Sequence, residues 1–267
     1  MSKLLDRLDS IARGTPKAIG FAATTSGEPV PQLALVAWIA DPAKLDAAAL
    51  TEVSVDGYVL HESAMGKDGS AQRPDALKEL PYGVMVEGPD PEKVEGYRKQ
   101  GADFLVFDIA NTPIDLLEEG DCARILRVTA DLEETQLRGL EDLPVDLVIL
   151  QRPAPEGPLT LTHMLAISGI RTATSRYLLL EWSADLTSRE LVLLRDAGID
   201  GIVVNITEAQ PSVVPGLRER ISALPQRKPR GDQRSIALLP RDVGHVAAAP
   251  QRHDEEEEED EEEWDEP

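Results

Sequence analysis

The sequence predicts an α/β chain closed into a (β/α)8 (TIM) barrel, and three observations lead there. A short, continuous, β-rich apolar run recurs eight times between Leu33 and Ile206. Each run is bounded by Gly, Pro or Asp and followed by a polar segment that suits a helix. Aromatics make up only 4% of the chain, so the core is built from Leu, Val, Ile and Ala. That composition fits parallel strands buried on both faces. Strand and helix alternating at about 24 residues imply right-handed βαβ units, and eight such units close into a barrel. A doubly wound open sheet is the alternative topology.

The elements follow in order. MSKLLDRLDSIARG places Leu4, Leu5, Leu8 and Ile11 on one helical face with charges between them. AIGFAA, from Ala18 to Ala23, reads as an extra strand that plugs the barrel floor or pairs with the next run. Alternatively it is itself the first barrel strand, leaving one of the eight outside. The eight runs are LALVAWI from Leu33, GYVLHE from Gly57, GVMVEG from Gly83, FLVFDI from Phe104, RILRVT from Arg124, LVILQR from Leu147, YLLLEW from Tyr177 and GIVVNI from Gly201. Asp41-Pro42, Asp90-Pro91 and Thr112-Pro113 each set a capping side chain before a proline at the first helical position. PEKVEGYRKQGA and SRELVLLRDAGID show helical spacing and end at a glycine. His163 reads as starting a helix after the sixth strand, on the surface or in packing, and a last helix runs near Pro215 to Leu224.

The chain thus divides into an N-terminal helix and extra strand (1–32), the barrel (33–224), an irregular basic extension (225–253) and a disordered acidic tail (254–267). Arg227, Lys228, Arg230 and Arg234 make the extension basic. The tail holds twelve of the chain's acidic residues in fourteen positions, and without it the net charge falls from −22 to −10. Such a run stays solvated and extended. It serves solubility, captures a basic partner with Trp264 as an apolar anchor, or folds back on 227–234.

Several function classes are excluded as expectations. No basic face offers itself to nucleic acid. No apolar run reaches the ~18 residues of a membrane span, and the N-terminus has no signal-peptide core, so a cytoplasmic location is expected. One cysteine, Cys122, rules out an internal disulfide or a multi-cysteine zinc site, and its place at a strand start argues against a thiol nucleophile. Every lysine lies off the strands, which disfavours a strand-borne Schiff base. The loops after strands seven and eight lack glycine, so phosphorylated substrates and FMN lose weight. AMGKDGS lacks phosphate-loop spacing, and no NAD, PLP, G-x-S-x-G or H-E-x-x-H signature occurs.

Aligning the later seven runs on their apolar residues sets Glu62, Glu87, Asp108, Val128, Gln151, Glu181 and Asn205 at the C-terminal strand ends. In a barrel, residues on that face converge on one space. Carboxylates sharing a mouth need a cation, arginine partners or raised pKa values. Glu62, Glu87, Asp108 and Glu181 are therefore expected to hold Mg2+ or Mn2+, which favour hard oxygen ligands. His61 is a further candidate nitrogen ligand, although pleating turns neighbours to opposite faces. Glu87, Asp108 and Glu181 are candidate catalytic groups. Arg127 and Arg152 either neutralise the ring or hold a substrate carboxylate. Gln151, Asn205 and Trp38 are expected to contact the substrate.

RDAGIDGIVVNI, from Arg195 to Ile206, resembles the last helix-to-strand step of aldolase-type barrels, and KQGADFLVFDI resembles the same step midway. The resemblance covers about Leu33 to Leu224 and is specific to fold. It implies lyase, isomerase or oxidoreductase chemistry, though the phosphate-binding glycines of such barrels are missing. Two functions are expected. One is a metal-assisted lyase or isomerase acting on a small oxygenated, carboxylate-bearing substrate. The other is a non-catalytic barrel that binds partners through its tail. The enzyme needs unpaired carboxylates in an open pocket, whereas the scaffold would tie them to Arg127 and Arg152.

Overall fold

The computed structural model describes residues 2–14, 30–41, 54–65, 78–88, 90–117, 120, 122–153, 157–207 and 213–226. The expected strand Ala18–Ala23, the helix expected after Asp41-Pro42, most of AMGKDGS, nearly all of the basic extension and the acidic tail lie outside them. Eight parallel strands form the sheet: β1 (Ala34–Ile39), β2 (Gly57–His61), β3 (Tyr82–Met85), β4 (Phe104–Asp108), β5 (Ala123–Val128), β6 (Leu147–Leu150), β7 (Tyr177–Glu181) and β8 (Gly201–Asn205). Each pairs with the next, and β8 pairs with β1 from Ala34↔Gly201 to Trp38↔Asn205. The sheet is a closed barrel, which sets aside the open doubly wound alternative. All eight staves are the eight apolar runs.

Among the described residues are six α-helices: α1 (Lys3–Arg13), α2 (Pro91–Lys99), α3 (Glu134–Gly139), α4 (Leu161–Ala173), α5 (Ser188–Asp196) and α6 (Val213–Ser222). Asp90 caps α2, accepting from Glu92 N and Lys93 N with Pro91 in the first turn. Gly101 and Gly198 follow α2 and α5 with φ of 83° and 101°, a left-handed turn that glycine enters without strain. Thr112-Pro113 starts no α-helix. Its hydroxyl donates instead to Asp108 O, and among the described residues between β4 and β5 the chain forms 3-10 turns at Ile109–Asn111 and Ile114–Leu117. His163 is wholly buried, in a capping box with Thr160, and sets its ring edge-on to Trp182 at 5.2 Å. It is a packing residue. No helix among the described residues is long and apolar enough to cross a membrane.

Strand pleating divides the core into two layers. Ala34, Val36, Trp38, Val59, Met85, Phe104, Val106, Ile125, Leu147, Ile149, Leu179 and Val203 fill the barrel. Their neighbours, including Leu35, Leu60, Val84, Leu105, Leu126, Leu150, Leu180 and Ile202, pack outward with helix residues such as Leu191, Leu194 and Leu217. Leu4, Leu8 and Ile11 of α1 belong to the inner layer, so the N-terminal helix closes one end of the barrel.

That end is organised by aspartates placed just before alternate strands. Asp56, Asp146 and Asp200 accept the backbone N–H of Leu35, Arg124 and Leu178, at or beside the start of the preceding strand. Asp103 instead caps α1, accepting from Ser2 Oγ, Lys3 N and Leu4 N. Asp56 also joins Arg7 at 2.8 Å and Arg218 at 2.9 Å, linking α1 and α6 to the β1–β2 seam. The opposite, C-terminal rim is the face where ligands gather in barrels of this kind.

Candidate functional site

The pleat decides which strand-end residues face inward. Counting in steps of two from the inner core gives His61 on β2, Glu87 beyond β3, Asp108 on β4, Arg127 on β5, Glu181 on β7 and Asn205 on β8. These six line a cavity of about 450 Å³ at the C-terminal mouth, together with Trp38, Met85, Thr112 and Ser183. The volume is within the range that holds a small molecule.

Two positions of the expected column shift by one residue. Val128 packs outward, and its neighbour Arg127 enters the mouth. Glu62 likewise gives way to His61. It lies in a 3-10 turn, accepting from Glu87 N at 2.7 Å and Lys93 Nζ at 2.6 Å. Burial alone would raise the Glu62 carboxyl, but hydrogen bonds from Lys93 and Glu87 N, with the Lys93 charge, hold it below the ordinary range. Glu62 is a brace between β2, β3 and α2, and is not among the residues lining the mouth. The physical reason is parity: matching apolar stretches does not fix which side of the sheet a residue meets, and only every second position of a strand reaches the interior. The alternation that separates His61 from Glu62 was the available signal.

Arg127 spans the mouth. It donates to Glu181 through Nε at 2.6 Å and Nη2 at 3.1 Å, a bidentate pair. Its guanidinium lies 5.0 Å from the Trp38 ring centroid. Burial would lower the Arg127 pKa, but Glu181 and then Asp108 raise it, so the guanidinium stays charged. Arg152 lies elsewhere: it donates to Gly157 O and stacks 4.6 Å from the Trp182 ring. Gln151 continues the β5–β6 ladder by donating its N–H to Val128 O, and neither Gln151 nor Arg152 lines the cavity. Of its two expected roles Arg127 takes the one of neutralising a ring carboxylate, and Arg152 lies outside the lining.

Two acid–base features remain. His61 Nδ1 accepts from Ser63 N and sits 2.8 Å from Ser63 Oγ, which leaves the Nε2 proton of the neutral ring for Glu87 Oε1 at 3.1 Å. Asp108 Oδ1 is buried and receives no hydrogen bond, with Arg127 Nη1 3.7 Å away. Asn205 uses its side-chain oxygen to accept from Thr207 N. Among the described residues, no three His, Cys, Asp or Glu side chains are grouped so as to hold a metal ion. The expected four-carboxylate ring is not assembled: Glu62 is outside it and Glu181 is paired.

No protein-family model matches the sequence, and neither does any curated protein. Solved structures similar to it include mutant forms of the tryptophan synthase alpha-subunit from the hyperthermophile Pyrococcus furiosus. Two of these match at 13% and 14% identity, each with a TM-score of 0.52, over 72% of this chain and 97% of that one. At such identity the likeness shows the barrel fold alone.

Proposed function

We propose that the C-terminal mouth is an enzyme active site for proton transfer on a small oxygenated molecule, with chemistry of the lyase or isomerase type. The observation that carries this reading is Asp108, whose carboxylate has no hydrogen-bond donor on Oδ1 and shares one cavity with the His61–Glu87 pair. That oxygen is shielded from solvent and has only the Arg127 charge 3.7 Å away, so a ligand N–H or O–H placed there would complete its hydrogen bonding. Asp108 acts as the base that takes a proton from carbon beside a carbonyl. His61, held in one tautomer by Ser63, exchanges a proton with the oxygen on which charge develops, and Glu87 stabilises the imidazolium form. Arg127 and Glu181 form a rigid, internally neutralised floor that orients Trp38 and Asp108. The neighbours' barrel fold supports this reading, because ligands in such folds gather at this rim.

A second reading keeps Mg2+ or Mn2+. Magnesium needs only one or two carboxylates and retains several waters. Asp108 and Glu87 would supply them, with Glu181 withheld by Arg127. The scaffold alternative expects the carboxylates tied to Arg127 and Arg152: Arg127 does hold Glu181, but Arg152 is turned to Gly157 O and Glu87 faces His61, and the acidic tail lies outside the described residues.

The test is carbon-proton exchange in heavy water, followed by NMR over a panel of small hydroxy ketones, hydroxy acids and amino ketones, for wild type and Asp108→Asn. Exchange by wild type that falls about 10²–10⁴-fold in the variant supports the reading. Equal exchange by both proteins, or exchange by neither across the panel, overturns it. Repeating the panel with added magnesium or manganese separates the metal-assisted form from the metal-free one.

A further inference from the structure

We infer that the molecule held in this mouth carries a positively charged nitrogen, an ammonium or amidinium group on a small, partly apolar body. The inference rests on the mouth being the working site and names the substrate class for it.

Charge is the first argument. The described lining holds three carboxylates, Glu87, Asp108 and Glu181, against the single guanidinium of Arg127. That guanidinium is consumed by two hydrogen bonds to Glu181. Arg152 stands outside the lining, and no lysine is part of it. Two negative charges are left over at Glu87 and Asp108 before any charge on His61 is counted. An anionic ligand would enter against that field, with no open cationic side chain to meet it among the described residues.

The second argument is the kind of cation. A dication would find at most Glu87 and Asp108 here, because no group of three candidate ligands exists among the described residues, and it would have to keep most of its waters. The Arg127 charge, 3.7 Å from Asp108 Oδ1, also opposes a dication there. A nitrogen cation suits the same surroundings better. Its N–H groups donate to the Asp108 oxygen that accepts no hydrogen bond and to the half-exposed Glu87 carboxylate, through charge-assisted hydrogen bonds. The apolar walls, Trp38, Met85, Val86 and Val203, cover its carbon body.

Three probes matched in size and differing in charge test this: 1-amino-2-propanol, 1,2-propanediol and lactate. Binding to the full chain is measured by ligand-observed NMR titration at low salt, with the backbone spectrum of each variant confirming its fold. Saturable binding of the amine, weaker binding of the diol, none of lactate, and an amine affinity lowered about 10-fold or more in both Asp108→Asn and Glu87→Gln are expected. Lactate binding as tightly as the amine overturns the proposal. So does an amine that fails to saturate, or whose affinity is unchanged in both variants. Magnesium that binds more tightly than the amine and displaces it also overturns it, in favour of a metal. Amine binding without any carbon-proton exchange would leave this inference standing while removing the proton-transfer reading, so the two fail separately.

Discussion

At the scale of single residues, the strongest constraints sit at the floor of the barrel. Asp56 is buried, with its side chain 3% exposed, and serves Arg7, Arg218 and the Leu35 N–H at once. Asp56→Ala would leave two guanidinium groups and a backbone donor without their acceptor. A loss of about 3–5 kcal/mol in urea unfolding is expected, since breaking a buried ion pair strands the remaining charge. A loss below about 1 kcal/mol would mean that water replaces the carboxylate there. No sequence pattern announces that pairing, because its members are 49 and 162 residues apart. Site residues were unevenly legible for a related reason. Glu87, Asp108 and Glu181 stand out as acids at strand ends, and the mouth does gather them. His61 was masked by the more conspicuous Glu62 next to it, and only the direction of the pleat separates the two.

At the scale of elements, the turns between helices and strands carry much of the polar bonding. Glu141, in the 3-10 turn after α3, accepts from Thr174 Oγ1, Ser175 N and Ser175 Oγ, tying that turn to the start of β7. These hydrogen bonds, Ser175 foremost, bring its carboxyl down to about 2 from an ordinary 4.5. A depressed folded-state pKa means that the group's stabilisation is complete above about pH 4.5 and fades as the pH falls toward 2. The stability difference between wild type and Glu141→Gln should therefore be constant above pH 4.5 and shrink between 4.5 and 2, as followed by chemical denaturation at each pH. A difference that stays level through that window would disprove the assignment. Helix boundaries were readable where local chemistry sets them, as at Asp90-Pro91 and Gly198. The Thr112-Pro113 signal misled because the threonine hydroxyl bonds backward to Asp108 O, closing a turn.

At the scale of the whole molecule, closure depends on a few positions where backbones approach too closely for a side chain. A Cβ on Gly201 would lie 2.8 Å from Ala34 O and 2.7 Å from Leu179 Cδ2. The carbonyl belongs to the β1–β8 seam and cannot swing aside. Gly201→Ala is expected to cost about 1–3 kcal/mol through overpacking and to raise amide exchange first in β1 and β8. Exchange raised uniformly across all strands would instead indicate global loosening without a seam effect. Gly83 is crowded by the flexible side of its neighbour, the Phe104 ring, so the same change there strains side-chain packing and leaves the seam alone.

Taken alone, the sequence determines eight buried apolar strands and their parallel sense, because such runs separated by helical segments have few compact solutions. The choice of a closed barrel over an open doubly wound sheet waits for the tertiary structure. It also places acids at the rim, since strands end where loops begin. Tertiary structure decides the rest. Strand parity selects His61 over Glu62 and Arg127 over Val128, a choice that depends on the side of the sheet each residue meets. Pairing across the barrel then joins Arg127 to Glu181 and leaves Asp108 Oδ1 without a hydrogen bond, 3.7 Å from the Arg127 guanidinium. Side chains 54 residues apart meet only after closure, and their contact converts a ring of like charges into a site with a neutral floor and an acidic mouth.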